Sequence, residues 1–362
     1  MTFGAGRLVL GIALVLGSRS LAAQDTTLAT ADTSTTRDSA PASHAGHFHI
    51  GLTIHGYGLS FGNARRITGI RVNVQDAELD RVNGINVTLW KPREPLSGTV
   101  NGIQVGLLPG SRQVSGIAVG LGGVVTEQRA RWVTVGGLGA VSNGAIEGIG
   151  IGGLGLVTDG AMRGIGIGGL GAVSNADIYG VVVGGLGTVV NRDIWGIAVA
   201  GLGTVANGDI NGIAVGGLGT VANRDVVGLA VAGLGTVANR DVTGVGLAGL
   251  AVVANGSVTG VGIGGLAVVA NGRVTGLGIG GLAVVADQEI RGVAVAGYRV
   301  DSHRMAGVSL SAYNRFRGPQ RGLAIGLYNS AYELHGVQIG VLNRAKNNKA
   351  PFKILPLLNV HL

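Results

Sequence analysis

Cysteine is absent from all 362 residues. That excludes disulfide staples, thiolate metal sites and cysteine nucleophiles. It leaves the compartment open, because an oxidising environment permits disulfides without requiring them. Proline numbers only 7 and glycine does not recur at every third position, so a collagen helix is excluded. Aromatic residues make up 4% of the chain and charged residues 13%. With so little charge and 46% hydrophobic content, most of the chain is not disordered. What is abundant is glycine, 70 residues, where ordinary usage is about 7%. A chain of Gly, Ala, Val, Ile and Leu with few large side chains suits narrow spaces where backbones approach closely.

The first 23 residues read as a signal peptide. Arg7 supplies the positive start, Leu8 to Leu16 the apolar stretch, and Ser20-Leu21-Ala22-Ala23 small residues for cleavage before Gln24. The apolar stretch is too short for a transmembrane helix, so the chain is expected to be exported. Residues 24–46 are rich in Thr, Ser, Ala and Asp and read as a flexible linker. His44, His47 and His49 follow. No carboxylate completes a metal-ligand set with them, and they read as exposed residues at the entry to the folded part.

The rest is repeats. Units beginning at Gly116, Trp132, Gly148, Gly164, Gly180, Gly196, Gly212, Gly228, Gly244, Gly260, Gly276 and Gly292 follow one another at intervals of sixteen, and only Trp132 breaks the glycine rule. Irregular units flank them from Gly69, Gly84 and Gly102 and from Gly307, Gly322 and Gly336, spaced 14 to 18 apart, which makes 18 units. In the unit 212–227, Ile213 and Val215 alternate with Ala214, which is strand periodicity. Gly216-Gly217 permits a sharp bend, Leu218 to Ala222 is a second short strand, and Asn223-Arg224-Asp225 is a turn. Ile213, Val215, Leu218, Val221 and Val226 are aliphatic in nearly every unit and are expected to be the core. The spacing predicts an all-β, parallel β-solenoid of about 18 coils, roughly 85 Å long at about 4.8 Å per coil. It divides into an N-terminal cap and irregular coils at 47–115, the regular array at 116–306 and C-terminal coils at 307–362. Asn175, Asn191, Asn207, Asn223, Asn239, Asn255 and Asn271 are expected to stack as a structural ladder of side-chain amides.

An antiparallel membrane β-barrel, acting as a pore, is the alternative. Asn-Gly pairs at 143–144, 207–208, 255–256 and 271–272 are hairpin signals. Against it stand the Gly-Gly breaks in alternation, the equal intervals, and the lack of an aromatic girdle, since residues 133–290 contain only Tyr179 and Trp195.

The units Gly322-Leu-Ala-Ile-Gly-Leu-Tyr-Asn329 and Gly336-Val-Gln-Ile-Gly-Val-Leu-Asn343 resemble the Gly-aliphatic-x-x-Gly-aliphatic-x-Asn units of a bacterial short-repeat surface protein family best known from spirochaetes. The resemblance is clearest over 307–362. It implies a surface or envelope location and assigns no functional residue.

Chemistry is thinly represented. Gly164-Ile-Gly-Ile-Gly-Gly169 lacks the following helix and the acidic residue of a dinucleotide site. Asp177, Asp193, Asp209, Asp225 and Asp241 recur once per unit, and Arg192, Arg224 and Arg240 are expected to neutralise them. A calcium site is not favoured, because the glycine-aspartate nonapeptide of calcium-binding β-rolls is absent. Thr188, Thr204, Thr220 and Thr236 form a hydroxyl column, either a flat face for an ordered surface or plain strand formers. No enzyme, cofactor or metal is expected.

Binding is expected where the sequence departs from the repeat. The last position of each unit varies freely: Glu147, Arg163, Tyr179, Trp195, Asn211, Val227, Thr243. Tyr179 and Trp195, one unit apart, are candidates for an aromatic contact. Residues 116–290 carry seven basic and ten acidic residues, whereas 291–362 carry ten basic and two acidic. Within that basic end Tyr313, Arg315, Phe316, Arg317 and Arg321 are the candidate contact residues, alongside a role in capping the last coil. The expected partners are an envelope polymer, lipid headgroups or a surface protein. Membrane association is compatible with this, and nucleic acid is not expected of an exported chain. The function read from the sequence is a rigid, exported structural or adhesive scaffold of the cell envelope, at the cell surface, outer membrane or periplasm.

Overall fold

A computed structural model describes residues 49–361. The signal peptide, the whole linker and the His44 and His47 positions lie outside the described residues; His49 opens the first strand. Those residues contain no helix and wind into a parallel β-solenoid of about 17 turns at a spacing near 16 residues.

The registers follow the repeat residue for residue. Gly196 pairs with Gly212, Ile197 with Ile213 and Ala198 with Ala214, all parallel. Gly203 pairs with Gly219 and Thr204 with Thr220 on the opposite side of the coil. Each turn therefore has a long strand, such as Ile210–Gly216, and a short one, such as Gly219–Ala222. A Gly-Leu corner and an Asn-x-Asp corner join them. The corners are hydrogen-bonded from turn to turn as well: Leu218 N donates to Leu202 O at 2.7 Å and Asn223 N to Ala206 O at 2.9 Å. A barrel is excluded, since a barrel of this size needs antiparallel neighbours and the successive rungs are parallel. Among the described residues, antiparallel pairs occur only where the first strand, His49–Ile54, and the last, Ile354–His361, fold back at the ends of the stack.

The glycine that opens each unit is required by its backbone. Gly212 sits at φ +132°, and a Cβ there would lie 2.1 Å from the carbonyl oxygen of Gly196 in the preceding rung. Trp132 alone takes this place with a side chain, at φ 82°.

One expectation is reversed. The aliphatic residues at the second, fourth, seventh and tenth places of each unit do not form the core. Ile213 is 37% exposed and Leu218 46%, while Ala214, Thr220 and Ala222 are fully buried. Of the five aliphatic positions only that of Val226 points inward, as Ile146, Ile178, Ile194, Ile210, Val242 and Val258 do in other turns. The cause is the thinness of the coil. At its narrow end the two strands cross so closely that a Cβ on Gly216 would meet the Gly219 oxygen at 2.0 Å. Gly, Ala, Thr and Val fill that end, with Leu156 admitted only where Gly150 lies beside it, and Ile or Met162 occupies the wider end. The other large aliphatic side chains of the repeat are left outside.

The interior changes character at both ends. In the N-terminal turns Arg71 is buried and ion-paired to Asp76, which also accepts from Thr88 Oγ1 at 2.6 Å and Asn86 Nδ2 at 3.1 Å. In the C-terminal turns Asn314, Asn329 and Asn343 are buried. Asn314 Nδ2 donates to Asn329 Oδ1 at 2.7 Å and Asn329 Nδ2 to Asn343 Oδ1 at 2.8 Å.

Candidate functional site

Three surfaces gather the side chains that carry chemistry. The first is the Asn-x-Asp edge. Here Asn191 Nδ2 donates to Asn175 Oδ1 at 2.7 Å, Asn207 to Asn191 at 2.9 Å and Asn223 to Asn207 at 2.8 Å. Asn239, Asn255 and Asn271 continue the chain at 3.1, 3.3 and 3.3 Å, and Asn175 begins it on Asp159. Beside it, each carboxylate receives the backbone amide of the next turn: Asp209 N donates to Asp193 Oδ1 at 2.8 Å, and Asp225 N to Asp209 Oδ1 at 2.9 Å. Ser257 N then donates to Asp241 Oδ1 at 2.6 Å, and the Ser257 hydroxyl accepts from Arg273 N at 3.1 Å.

The arginines of this edge reach backward one turn, and Arg224 two, rather than to the adjacent Asp. Arg192 contacts Asp177 at 3.7 Å and Arg240 contacts Asp225 at 2.7 Å. Arg224 bridges Asp193 and Asp209. Its hydrogen bond to Asp193, reinforced by the charges of Asp193, Asp209 and Asp225, raises its pKa and holds the guanidinium more firmly protonated than usual. Like charges stacked about 4.8 Å apart are thus offset by amide dipoles and guanidinium groups. With their oxygens so engaged, the carboxylates act as backbone caps. No group of three or more metal-ligating side chains is found among the described residues.

The second surface is the outer side of the long strands. Tyr179 and Trp195 are direct neighbours on adjacent rungs, 41% and 47% exposed. The rung before them places Arg163 over the Tyr179 ring, 5.4 Å from its centroid. Arg163 also reaches Glu147 at 3.9 Å, and Glu147 is held by Arg131 at 3.0 Å and Arg129 at 3.6 Å. The result is a continuous strip: Arg131, Glu147, Arg163, Tyr179, Trp195. Its charged half was legible as variation at the last place of the unit, but its continuity with the aromatic pair was not. Trp132, 71% exposed and holding a backbone angle that favours glycine, stands next to the strip in sequence.

The third is the basic C-terminal end. Tyr313 stacks on Tyr328 with centroids 5.2 Å apart, and Lys346 lies 4.8 Å from the Tyr332 centroid. Arg315 and Arg321 are exposed. Arg317 is engaged within the chain, 3.2 Å from Asp301 and 3.7 Å from Asp287. Phe316 is buried, 2% exposed, in the main core, so its ring is packing and not a contact surface. Phe316 falls at an inward place of its strand, which alternation about Asn314 would have indicated.

The threonine column is interior as well. Thr188, Thr204, Thr220 and Thr236 are fully buried, and each hydroxyl donates to a carbonyl eleven residues on, as Thr220 Oγ1 does to Val231 O at 2.9 Å. Asn314 occupies the same column and donates to Ile325 O at 2.9 Å. An ordered-surface face made of these threonines is therefore excluded.

No family model, curated protein or solved structure matches the chain.

Proposed function

We propose that this chain is an exported, non-catalytic scaffold of the bacterial cell envelope that holds a partner along its outer face. The observation that carries this reading is the Arg131-Glu147-Arg163-Tyr179-Trp195 strip. A varied row of arginine and aromatic side chains stands exposed on the long strands, whereas the Asn and Asp columns are engaged with one another, with arginines and with the backbone. Trp, Tyr and Arg are the residue types that dominate binding energy at protein surfaces. The envelope location is supported by the export signal read at residues 1–23 and by the resemblance of 322–329 and 336–343 to surface repeats. Arg315 and Arg321 extend the same reading to the C-terminal end as a second contact region for anionic envelope material.

The test is binding of the purified chain to envelope fractions of a bacterial cell. Replacing both Tyr179 and Trp195 by Ala should weaken binding at least tenfold and leave the circular dichroism spectrum unchanged. Undiminished binding by this variant would move the contact away from the strip.

A further inference from the structure

The inverted packing leaves an apolar surface of unusual extent. Along the Gly-Leu corner, Leu138, Leu154, Leu170, Leu186, Leu202, Leu218 and their successors to Leu282 project in one unbroken ridge. On the long face two aliphatic columns run beside it, those of Ile213 and Val215. On the short face a third runs through Val189, Val205 and Val221. Soluble monomers rarely expose contiguous apolar patches beyond a few hundred Å². Over twelve turns the long face alone presents on the order of 600 Å² at strand spacing.

We infer that the Leu ridge is a keel that inserts the rod lengthwise into one leaflet of a lipid bilayer. Three features favour acyl chains over a second copy. The apolar surface covers two faces and the corner between them, and one flat partner covers only one face. The side chains are ordered across the rod as a leaflet is ordered in depth. Leu lies at the corner, Ile and Val come next, then a mixed column that holds Arg131, Glu147, Arg163, Tyr179 and Trp195 in its first part and Thr243, Thr259, Thr275 and Arg291 farther on, and the Asn-x-Asp edge is farthest out. Aromatic rings and arginine stems are the groups that settle at a membrane–water interface. Finally, the depth fits. The strand from Ile213 to Gly216 rises roughly 10 Å before the Gly-Leu corner turns, which lies within half of a hydrocarbon core of about 30 Å.

The backbone is fit for this environment. Unsatisfied amides and carbonyls are what normally bar β structure from lipid. Here the bonds run along the rod axis on both faces and at the inserted corner, where Leu202 N reaches Leu186 O at 2.7 Å and Leu234 N reaches Leu218 O at 2.8 Å.

The ridge carries this inference; the strip enters only as its interfacial border, and whether the strip also binds a partner is a separate question. The experiment is flotation of the full chain with zwitterionic phosphatidylcholine vesicles at high salt, which removes attraction to the basic end. The variant replaces Leu170, Leu186, Leu202 and Leu218 by Asn, all outward-pointing, and a second replaces the same four by Ala. The unaltered chain should float with the vesicles, and the Asn variant should do so at least tenfold less, with the Ala variant between them. Both variants keep residues 1–23, so equal flotation of all three chains overturns the keel. Failure of the unaltered chain to float overturns it whatever the variants do. A ridge-dependent dimer in vesicle-free sedimentation, without flotation, would assign the face to a second copy and overturn it too. The Tyr179→Ala/Trp195→Ala chain, which tests the strip, should still float.

Discussion

At the scale of single residues, the interior is governed by the volume of pairs that face each other across the coil. Where the ninth place of a unit is Thr, the third is Ala or Val, as in Ala214 with Thr220. Where the ninth is Val, the third is Gly in three turns, Gly246 with Val252, Gly262 with Val268 and Gly278 with Val284, and Ala in the next, Ala294 with Val300. A Cβ on Gly262 would lie 3.2 Å from Val268 Cγ1 and 3.1 Å from Val258 Cγ1. Gly262→Ala should therefore cost about 1–3 kcal/mol by overpacking. Val268→Ala in the same chain should return part of that loss, so the two changes are non-additive in denaturant unfolding. This pairing is written in the sequence. Alternation alone points the large aliphatics at the core, and the sheet-to-sheet distance that keeps most of them out is set by backbone contacts such as Gly216 against Gly219. No periodicity expresses that distance. Parity alone could not decide the question either, since Ile213 and Ala214 each head an equally regular alternating set.

At the scale of the element, the turns were the most legible part. Asn223-Arg224-Asp225 forms a corner as its composition indicates, and identical residues sit in register because the interval of sixteen is unbroken from Gly116 to Gly292. What the pattern did not convey is that the carboxylates cap amides of the following turn. A column of acids reads as repulsion until backbone donors are placed beside it. The buried Asn329 and Asn343 likewise gained a role only in three dimensions, since they continue the column of Thr220 and hold the carbonyls at the narrow corner. The Asn edge ladder should contribute modestly, because its members are exposed. Asn223→Ala removes one donor and one acceptor, at 2.8 and 3.1 Å. About 1 kcal/mol should be lost, read as a shift in the urea midpoint with an unchanged slope.

At the scale of the whole array, stability is the sum of turns and of contacts between neighbouring turns, as in other solenoids. Every regular unit presents the same two faces to its neighbours, so one can be removed without altering the rest. Deletion of residues 212–227 joins Asn211 to Gly228 in the register that Gly212 held. The shortened chain should fold, with a strand circular dichroism spectrum like that of the intact chain and a maximum dimension by small-angle scattering about 5 Å smaller. Deletion of eight residues, 212–219, would bring long strands opposite short ones and should abolish cooperative folding. The barrel alternative failed at this scale for a related reason: equal intervals without long loops describe a stack that advances along an axis and never returns to close on its first strand.

The invariant interval has a further consequence. Because Gly212, Gly228 and their counterparts occupy one line, the array behaves as a graduated ruler whose extent is quantised in single turns. Recombination between such near-identical units lengthens or shortens it by whole graduations, and each product keeps its ladders, its ridge and its caps. Reach is thereby separated from foldability: how far the chain extends is free to vary between copies while the chemistry of its edges stays fixed.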